Sequence, residues 1–285
     1  MASADVDVDP RAPEARANDV AMLADVMGVV LRVGLVMVRS GAAAFRSRLT
    51  MARVARSLGV NECEFVVTPD LVQVSLSSGG ATLARVIHIG ESGVNMGRLA
   101  AVERLSRELA AEPGRANTFT VEARLGAIEA APPTYSRWLT VVMLGAACSA
   151  FCGAMGAGTL QMAGAYAGAS LGHVLRLRLI AKHVHIVSLV TLCTFTSSVV
   201  AFGVVWWGAH LGNPAPVAFE IASGKAVLAS VLYLVPGVPL VTSLLDIIHF
   251  DLVAGLARAA FASLIVACMG VGMLIFLSVI RHAFP

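Results

Sequence analysis

Residues 138–285 contain only six Lys or Arg and three Asp or Glu, while residues 1–137 hold 15 of the 21 basic and 15 of the 18 acidic side chains. No other feature restricts the fold so strongly. A surface facing water carries charge, and the second half has too little to cover one. Its apolar residues must meet lipid instead, where helices and closed barrels alone satisfy their own backbone groups. The chain is 57% hydrophobic, with mean hydropathy +0.79. It divides into a soluble part and a membrane part. The net charge of +3 is modest and points to no nucleic-acid partner.

Apolar runs of bilayer length predict an α-helical multi-pass membrane domain over 137–282 with five spans: 138–157, 160–175, 184–207, 216–248 and 252–280. Four is the alternative, if 220–248 forms a re-entrant element. Arg137-Trp138 opens the first span at an interface, and Trp206-Trp207 closes the third. Orientation follows from Lys and Arg. Arg176, Arg178 and Lys182 fall on the same side as the soluble part, and the opposite loops, near Gly156–Thr159 and Gly208–Ala215, hold neither residue type. This positive-inside pattern places the N-terminus in the cytoplasm and Pro285 outside, with Arg281 as single counter-evidence.

The fourth span and the start of the fifth hold the most unusual stretch, Leu228–Arg258, which contains Pro236-Gly237-Val238-Pro239 and then Asp246, Asp251 and Arg258. Each proline lacks an amide donor and clashes with the carbonyl one turn back, so a helix here breaks or kinks. Inside lipid the freed backbone groups need a protein interior or a wet cavity. Two readings stay open. A broken helix followed by a carboxylate is what a transport site needs. The other reading is a kinked packing helix with Asp246 near the water interface.

The soluble half predicts an α+β cytoplasmic domain over 20–133 after a disordered acidic tail, 1–19, that has no apolar core and is no signal peptide. Residues 20–58 read as a long helix, bent or divided at Ser40-Gly41 and capped by Gly59. Its apolar run 26–38 is too short, and with Arg32 too charged, to span. Three strands follow, 62–68, 71–77 and 81–89, separated by Pro69-Asp70 and Ser78-Gly79-Gly80, which suits an antiparallel meander. Asn95 is an N-cap for a helix over 96–111, ended by Pro113-Gly114. A shorter helix spans 118–129, and Ala131-Pro132-Pro133 is a linker. His88 is the sole His before residue 173 and has no nucleophile at catalytic spacing. Gly90–Gly97 lacks the Lys-Ser/Thr ending of a phosphate loop, so no nucleotide, cofactor or metal is expected, and no enzyme activity. Of the five Cys, only Cys63 lies outside an apolar run, and no disulfide is expected.

Gly164, Gly168 and Gly172 repeat at four residues and share one helix face. Another backbone can approach such a ridge closely, either within the chain or in another copy of it or a second subunit.

Three stretches of the membrane half, RWLTVVMLGAACSAFCGAMGAG (137–158), LYLVPGVPLVTSLLDII (232–248) and GLARAAFASL (255–264), resemble the threonine/serine exporter family. LVMVRSGAAAFRSRLTMARVARSLGV (35–60) and GVNMGRLAAVERL (93–105) are similar to that family's soluble domain. The resemblance covers roughly residues 25–282. It implies the larger subunit of a two-chain exporter of the succinate-exporter type, which needs a small membrane subunit and works in the bacterial inner membrane. A small carboxylate such as succinate, or threonine and serine, is the implied substrate.

With a carboxylate as cargo, Lys225 and Arg258 are the basic residues well inside the fourth and fifth spans, and Arg holds carboxylates through two hydrogen bonds. Pro236, Gly237 and Pro239 offer free backbone groups. Asp246 is a candidate carrier of a coupling proton, since burial disfavours its charged form. Arg258 can equally form an internal ion pair with Asp246 or Asp251, and Glu220–Lys225 an interfacial pair. A non-transporting regulatory or assembly subunit is the alternative function.

Overall fold

The computed structural model describes residues 12–90, 93–112, 117–132, 134–212 and 224–283. Its elements are α1 (Ala12–Arg39), α2 (Ala44–Ser57), β1 (Glu62–Val67), β2 (Leu71–Ser78), β3 (Ala81–His88), α3 (Met96–Ala111), α4 (Thr118–Ala130), α5 (Arg137–Ala154), α6 (Thr159–Ala181) and α7 (Ile186–Gly212). Then come α8 (Gly224–Leu234), closed by a 3-10 turn, α9 (Gly237–Ile248) and α10 (Leu252–Ala283). The fold is mostly helical with one small sheet. The chain forms two compact units. The N-terminal unit joins Met1–Pro132 to Val238–Ala259, and the C-terminal unit joins Pro133–Gly237 to Ala260–Pro285.

The N-terminal unit is built on an antiparallel meander, β1-β2-β3. Residues alternate between faces along a strand. Val72, Val74 and Leu76 of β2 are therefore buried together, with Val74 paired to Phe65 on one side and Arg85 on the other. Gly79 and Gly80 both have positive φ, which a two-residue hairpin turn of this hand requires. Helix α1 lies on the sheet. Leu23, Val26, Met27, Val30, Val33 and Met37 recur at three- and four-residue steps, and Val29, Leu31, Val36 and Val38 beside them are buried as well, so neighbours cover most of its circumference. Gly41 (φ +92°) turns the chain from α1 into α2, and Gly59 (φ +89°) closes α2. Asn95 caps α3 by accepting from the Arg98 N–H.

The C-terminal unit packs α5, α6, α7, α8 and the residues of α10 from Ala260 onward. Leu189, Val190, Cys193, Leu234, Ile265 and Cys268 form its apolar cluster. Much of its remaining interior is small or hydroxylated: Ala165, Ala169, Ala201, Ser197, Ser198, Thr194 and Ser230 are all fully buried.

By length and composition, four helices can cross a membrane: Asn18–Arg39, Arg137–Ala154, Ile186–Leu211 and Leu252–Ala283. The pair α8 and α9 makes a fifth if it is one span, bent by 61° at its break. Two points differ from the sequence reading. Asn18–Arg39 belongs to this set because the helix runs further toward the N-terminus than the 26–38 run, although its apolar stripe is buried against the sheet. Thr159–Ala181 does not belong to it, because Gln161, His173 and the closing Arg176 and Arg178 hold its hydropathy down. Helix α1 also begins at Ala12, within the stretch read as a tail, where Ala, Glu and Arg favour helix. Residues 1–11 of that tail, Pro113-Gly114, Pro133, the outer loop from 213, the start of the fourth span with Glu220, and Pro285 lie outside the described residues.

Candidate functional site in the hairpin of α9 and α10

Helix α8 stops at Leu234 and α9 starts at Gly237, so the break falls at Val235-Pro236. Pro239 is the third residue of α9. In the first turn an amide has no intrahelical partner to lose, so this proline is accommodated rather than disruptive. Helix α9 reverses into α10 through His249, Phe250 and Asp251. Phe250 takes a left-handed φ of +61°, unusual for a bulky residue, and the Asp251 N–H donates to the Asp246 carbonyl at 2.8 Å. The two helices cross closely at Gly255. A Cβ there would meet the Ile247 amide and the Ser243 carbonyl at 3.1 Å, and Ser243 Oγ donates to the Gly255 carbonyl at 2.8 Å.

This hairpin sets Asp246 against Arg258. Asp246 is 0% exposed and Arg258 9%. Arg258 Nε stands 3.1 Å from Asp246 Oδ2, a charge contact in which neither atom has an aligned hydrogen bond. One further polar atom of each group turns to the start of α2. The Ala44 N–H donates to Asp246 Oδ1 at 2.7 Å, and Arg258 Nη2 donates to the Ala42 carbonyl at 2.8 Å. Arg258 Nη1 lies 3.4 Å from Thr242 Oγ1.

The chemistry explains the partners. A helix begins with amide donors that lack acceptors, and its N-terminus carries partial positive charge. Residue Ala43, at the N-cap position of α2, has no side-chain acceptor. Asp246, some 200 residues later (|i−j| = 202), supplies the missing capping carboxylate. Two further contacts surround the pair. Arg48 Nη2 is 2.6 Å from Asp251 Oδ2, and the rings of Phe45 and His249 stack at 3.9 Å.

Of the residues singled out in the sequence, the structure brings Asp246 and Arg258 together. Lys225 belongs to the C-terminal unit, where its Nζ donates to the Gly156 carbonyl at 3.1 Å. Pro236 and Gly237 form the break, and a Cβ on Gly237 would meet nothing within 4 Å. Gly164, Gly168 and Gly172 face α7 and α8 of the same chain. A Cβ on Gly168 would lie 2.6 Å from the Ser197 carbonyl, and one on Gly164 2.9 Å from that of Ala201. The sequence reading missed Thr242, Ser243 and the start of α2 as parts of the site. The local sign was Ala42-Ala43-Ala44, a helix start without Ser, Thr, Asp or Asn.

A family model described as "Putative threonine/serine exporter" matches residues 28–280. The chain belongs to the threonine/serine exporter family. It is 26% identical over 249 residues to "Probable succinate transporter subunit YjjP" of Escherichia coli (strain K12), which covers 87% of this chain and 92% of that one. The protein of the same description from Klebsiella aerogenes is 26% identical over 245 residues, 85% of this chain and 90% of that one. No solved structure matches. Membership in a transporter family and the several long apolar helices together support a transport protein of the membrane.

Proposed function

We propose that the chain is one subunit of a secondary exporter of small carboxylates, of the succinate-like dicarboxylate class, in the bacterial inner membrane with its N-terminus in the cytoplasm. The printed names of the two relatives support the substrate class, and the word "subunit" in them supports a membrane partner. The family description supports threonine or serine as the alternative cargo.

One observation carries the mechanism: a buried Asp–Arg pair, set in the helical hairpin that follows a proline break, holds the first turn of a helix in the N-terminal unit. A buried carboxylate without a cation is costly, and so is the converse. Asp246 therefore has two well-defined states. Charged, it binds Arg258 and caps α2. Protonated, it gives up the attraction to both, and the hairpin's hold on the start of α2 is loosened. Export coupled to proton entry needs such a carboxylate. Arg258 acts as the counter-charge of Asp246, Pro236, Gly237 and Pro239 shape the path at the break, and Lys225 adds positive charge at the far end of α8.

The test uses the chromosomal gene in its own host, so that any partner is present. Efflux of radiolabelled succinate, and separately of threonine, is followed in loaded cells. Deleting the gene should slow efflux of one label, and Asp246→Asn should match the deletion with the protein still in the membrane fraction. Normal efflux of both labels after deletion overturns the exporter reading. Normal efflux in Asp246→Asn alone removes Asp246 from the mechanism.

A further inference from the structure

We propose that Arg176, Tyr233, Ser197 and His173 form a carboxylate-binding subsite in the C-terminal unit. This rests on the exporter reading and deepens it, because it places the cargo's anionic end on Arg176 rather than on Arg258.

Charge comes first. Among the described residues the C-terminal unit contains no Asp or Glu, yet it contains Arg137, Arg176, Arg178, Lys182, Lys225 and Arg281. Arg137, Arg178, Lys182 and Arg281 are exposed, and Lys225 is bound to the Gly156 carbonyl. Arg176 is half-buried and has neither ion pair nor hydrogen bond among the described residues. Arg258 is the reverse case, occupied by Asp246, the Ala42 carbonyl and Thr242. A guanidinium withdrawn from water without an acceptor is unfavourable, and its planar fork fits a carboxylate. The described residues of the unit offer no carboxylate, so the acceptor that fits Arg176 is one that arrives.

The neighbours supply the remaining donors. Tyr233, on the last turn of α8, lies with its hydroxyl 3.2 Å from Ser197 Oγ on α7. One hydroxyl hydrogen is used between these two oxygens, and the other is free to donate outward. The His173 ring stands edge-on to Tyr233, centroids 5.8 Å apart. Its Nδ1 is buried without a partner, as is Ser170 Oγ one turn earlier on α6. Arg176 follows His173 by three residues on α6, so the two side chains are neighbours on one face of that helix. Gly172 keeps the place open, because a Cβ there would fall on the Ser197 and Tyr233 hydroxyls. A cation with unanswered donors, next to two buried polar atoms that lack partners, is a site for one carboxylate group. Tyr233 is three residues before Pro236, so occupancy is felt beside the break.

The test is uptake of radiolabelled succinate into inverted membrane vesicles from the native host, with variants in the chromosomal gene. Arg176→Gln and Tyr233→Phe should raise KM about ten- to a hundred-fold and leave the maximal rate within a few-fold, the range expected for losing charge-assisted hydrogen bonds. Arg176→Lys should fall between, and Arg178→Gln, an exposed neighbour, should match the wild type. An unchanged KM in Arg176→Gln overturns the subsite and leaves the exporter reading intact. So does a lowered rate at unchanged KM, which would place Arg176 on an anionic lipid headgroup. Equal losses in Arg176→Gln and Arg178→Gln would reduce the effect to general surface charge and also overturn it. Should threonine rather than succinate be the label that the gene moves, the same KM comparison applies to threonine. Vesicles that take up neither label, and match those of the deletion strain, would overturn the exporter reading and the subsite with it.

Discussion

The two units bury different mixtures of side chains. The N-terminal unit encloses Leu23, Met27, Leu31, Met37, Met51, Leu76 and Ile89, large apolar groups that water drives inward. The C-terminal unit encloses alanine, serine, threonine and cysteine beside a small set of larger groups, Leu189, Leu234, Ile265 and Phe276, and turns Trp138, Met143, Leu171, Trp207, Leu274 and Leu277 outward. Where the surroundings are themselves apolar, burying leucine gains little, and close backbone approach and polar contacts hold helices together instead. The hairpin 238–259 combines both designs. Asp246, Thr242, Ser243 and Arg258 face inward, while Val241, Leu244, Ile248, Val253 and Leu256 are exposed. It is grouped with the first unit by packing and resembles the second in its outer surface. Different substitutions should therefore damage the two units, and the hairpin should respond through its charges.

The largest effect is expected at those charges. Asp246→Ala leaves Arg258 buried without a counter-ion and the start of α2 without its cap. It should cost about 3–5 kcal/mol in chemical unfolding of the purified chain followed by circular dichroism. The double variant Asp246→Leu with Arg258→Met should recover most of that loss, since an apolar pair avoids the unpaired charge. A double variant as unstable as the single one would show that the hairpin is held by more than this pair.

Next is the large-side-chain core. Met51 is fully buried, and its thioether rests on Gly34, where a Cβ would meet Met51 Sδ at 2.7 Å. Met51→Ala should destabilise the N-terminal unit by about 2–5 kcal/mol in the same unfolding measurement. In the C-terminal unit the damaging change is the opposite one, the addition of a methyl group. Gly168→Ala forces a Cβ against the Ser197 carbonyl and the Ser230 Cβ, which would lie at 2.6 and 2.8 Å, and should cost about 1–3 kcal/mol. Gly203→Ala is the control, with nothing within 4 Å of its Cβ, and should be neutral or slightly stabilising. Equal behaviour of the two glycines would remove the close-packing account of the ridge.

What the sequence disclosed follows the same division. The meander, the Gly79-Gly80 turn and the Asn95 cap were legible because each depends on neighbours a few residues apart. The long apolar helices of the second half were legible from its scarcity of charge. The capping of α2 by Asp246 was not, because its partners are 202 positions apart and an uncapped Ala43 says that a cap is missing without saying what supplies it. Pairing of Asp246 with Arg258 was one option among several, and the turn at Phe250 selects it by folding α10 back along α9. The Arg176 cluster was hidden for a related reason. Its members come from three helices, and Arg176 reads in sequence as an ordinary basic residue at a helix end.

The smallest effect is expected at Arg48–Asp251, and it separates the hairpin's anchoring from its charge chemistry. The two groups are 2.6 Å apart, but the Arg48 side chain is 38% exposed, so water screens what the distance would otherwise yield. Pairs of this kind are worth roughly 0.2–1 kcal/mol. Asp251→Asn should therefore lower stability by no more than that in chemical unfolding, and added salt should shrink the difference further. The Asp246–Arg258 pair, withdrawn from water, should keep its full effect in the same salt. A loss at Asp251 comparable to that at Asp246 would mean that the hairpin's turn, rather than its buried pair, holds α2.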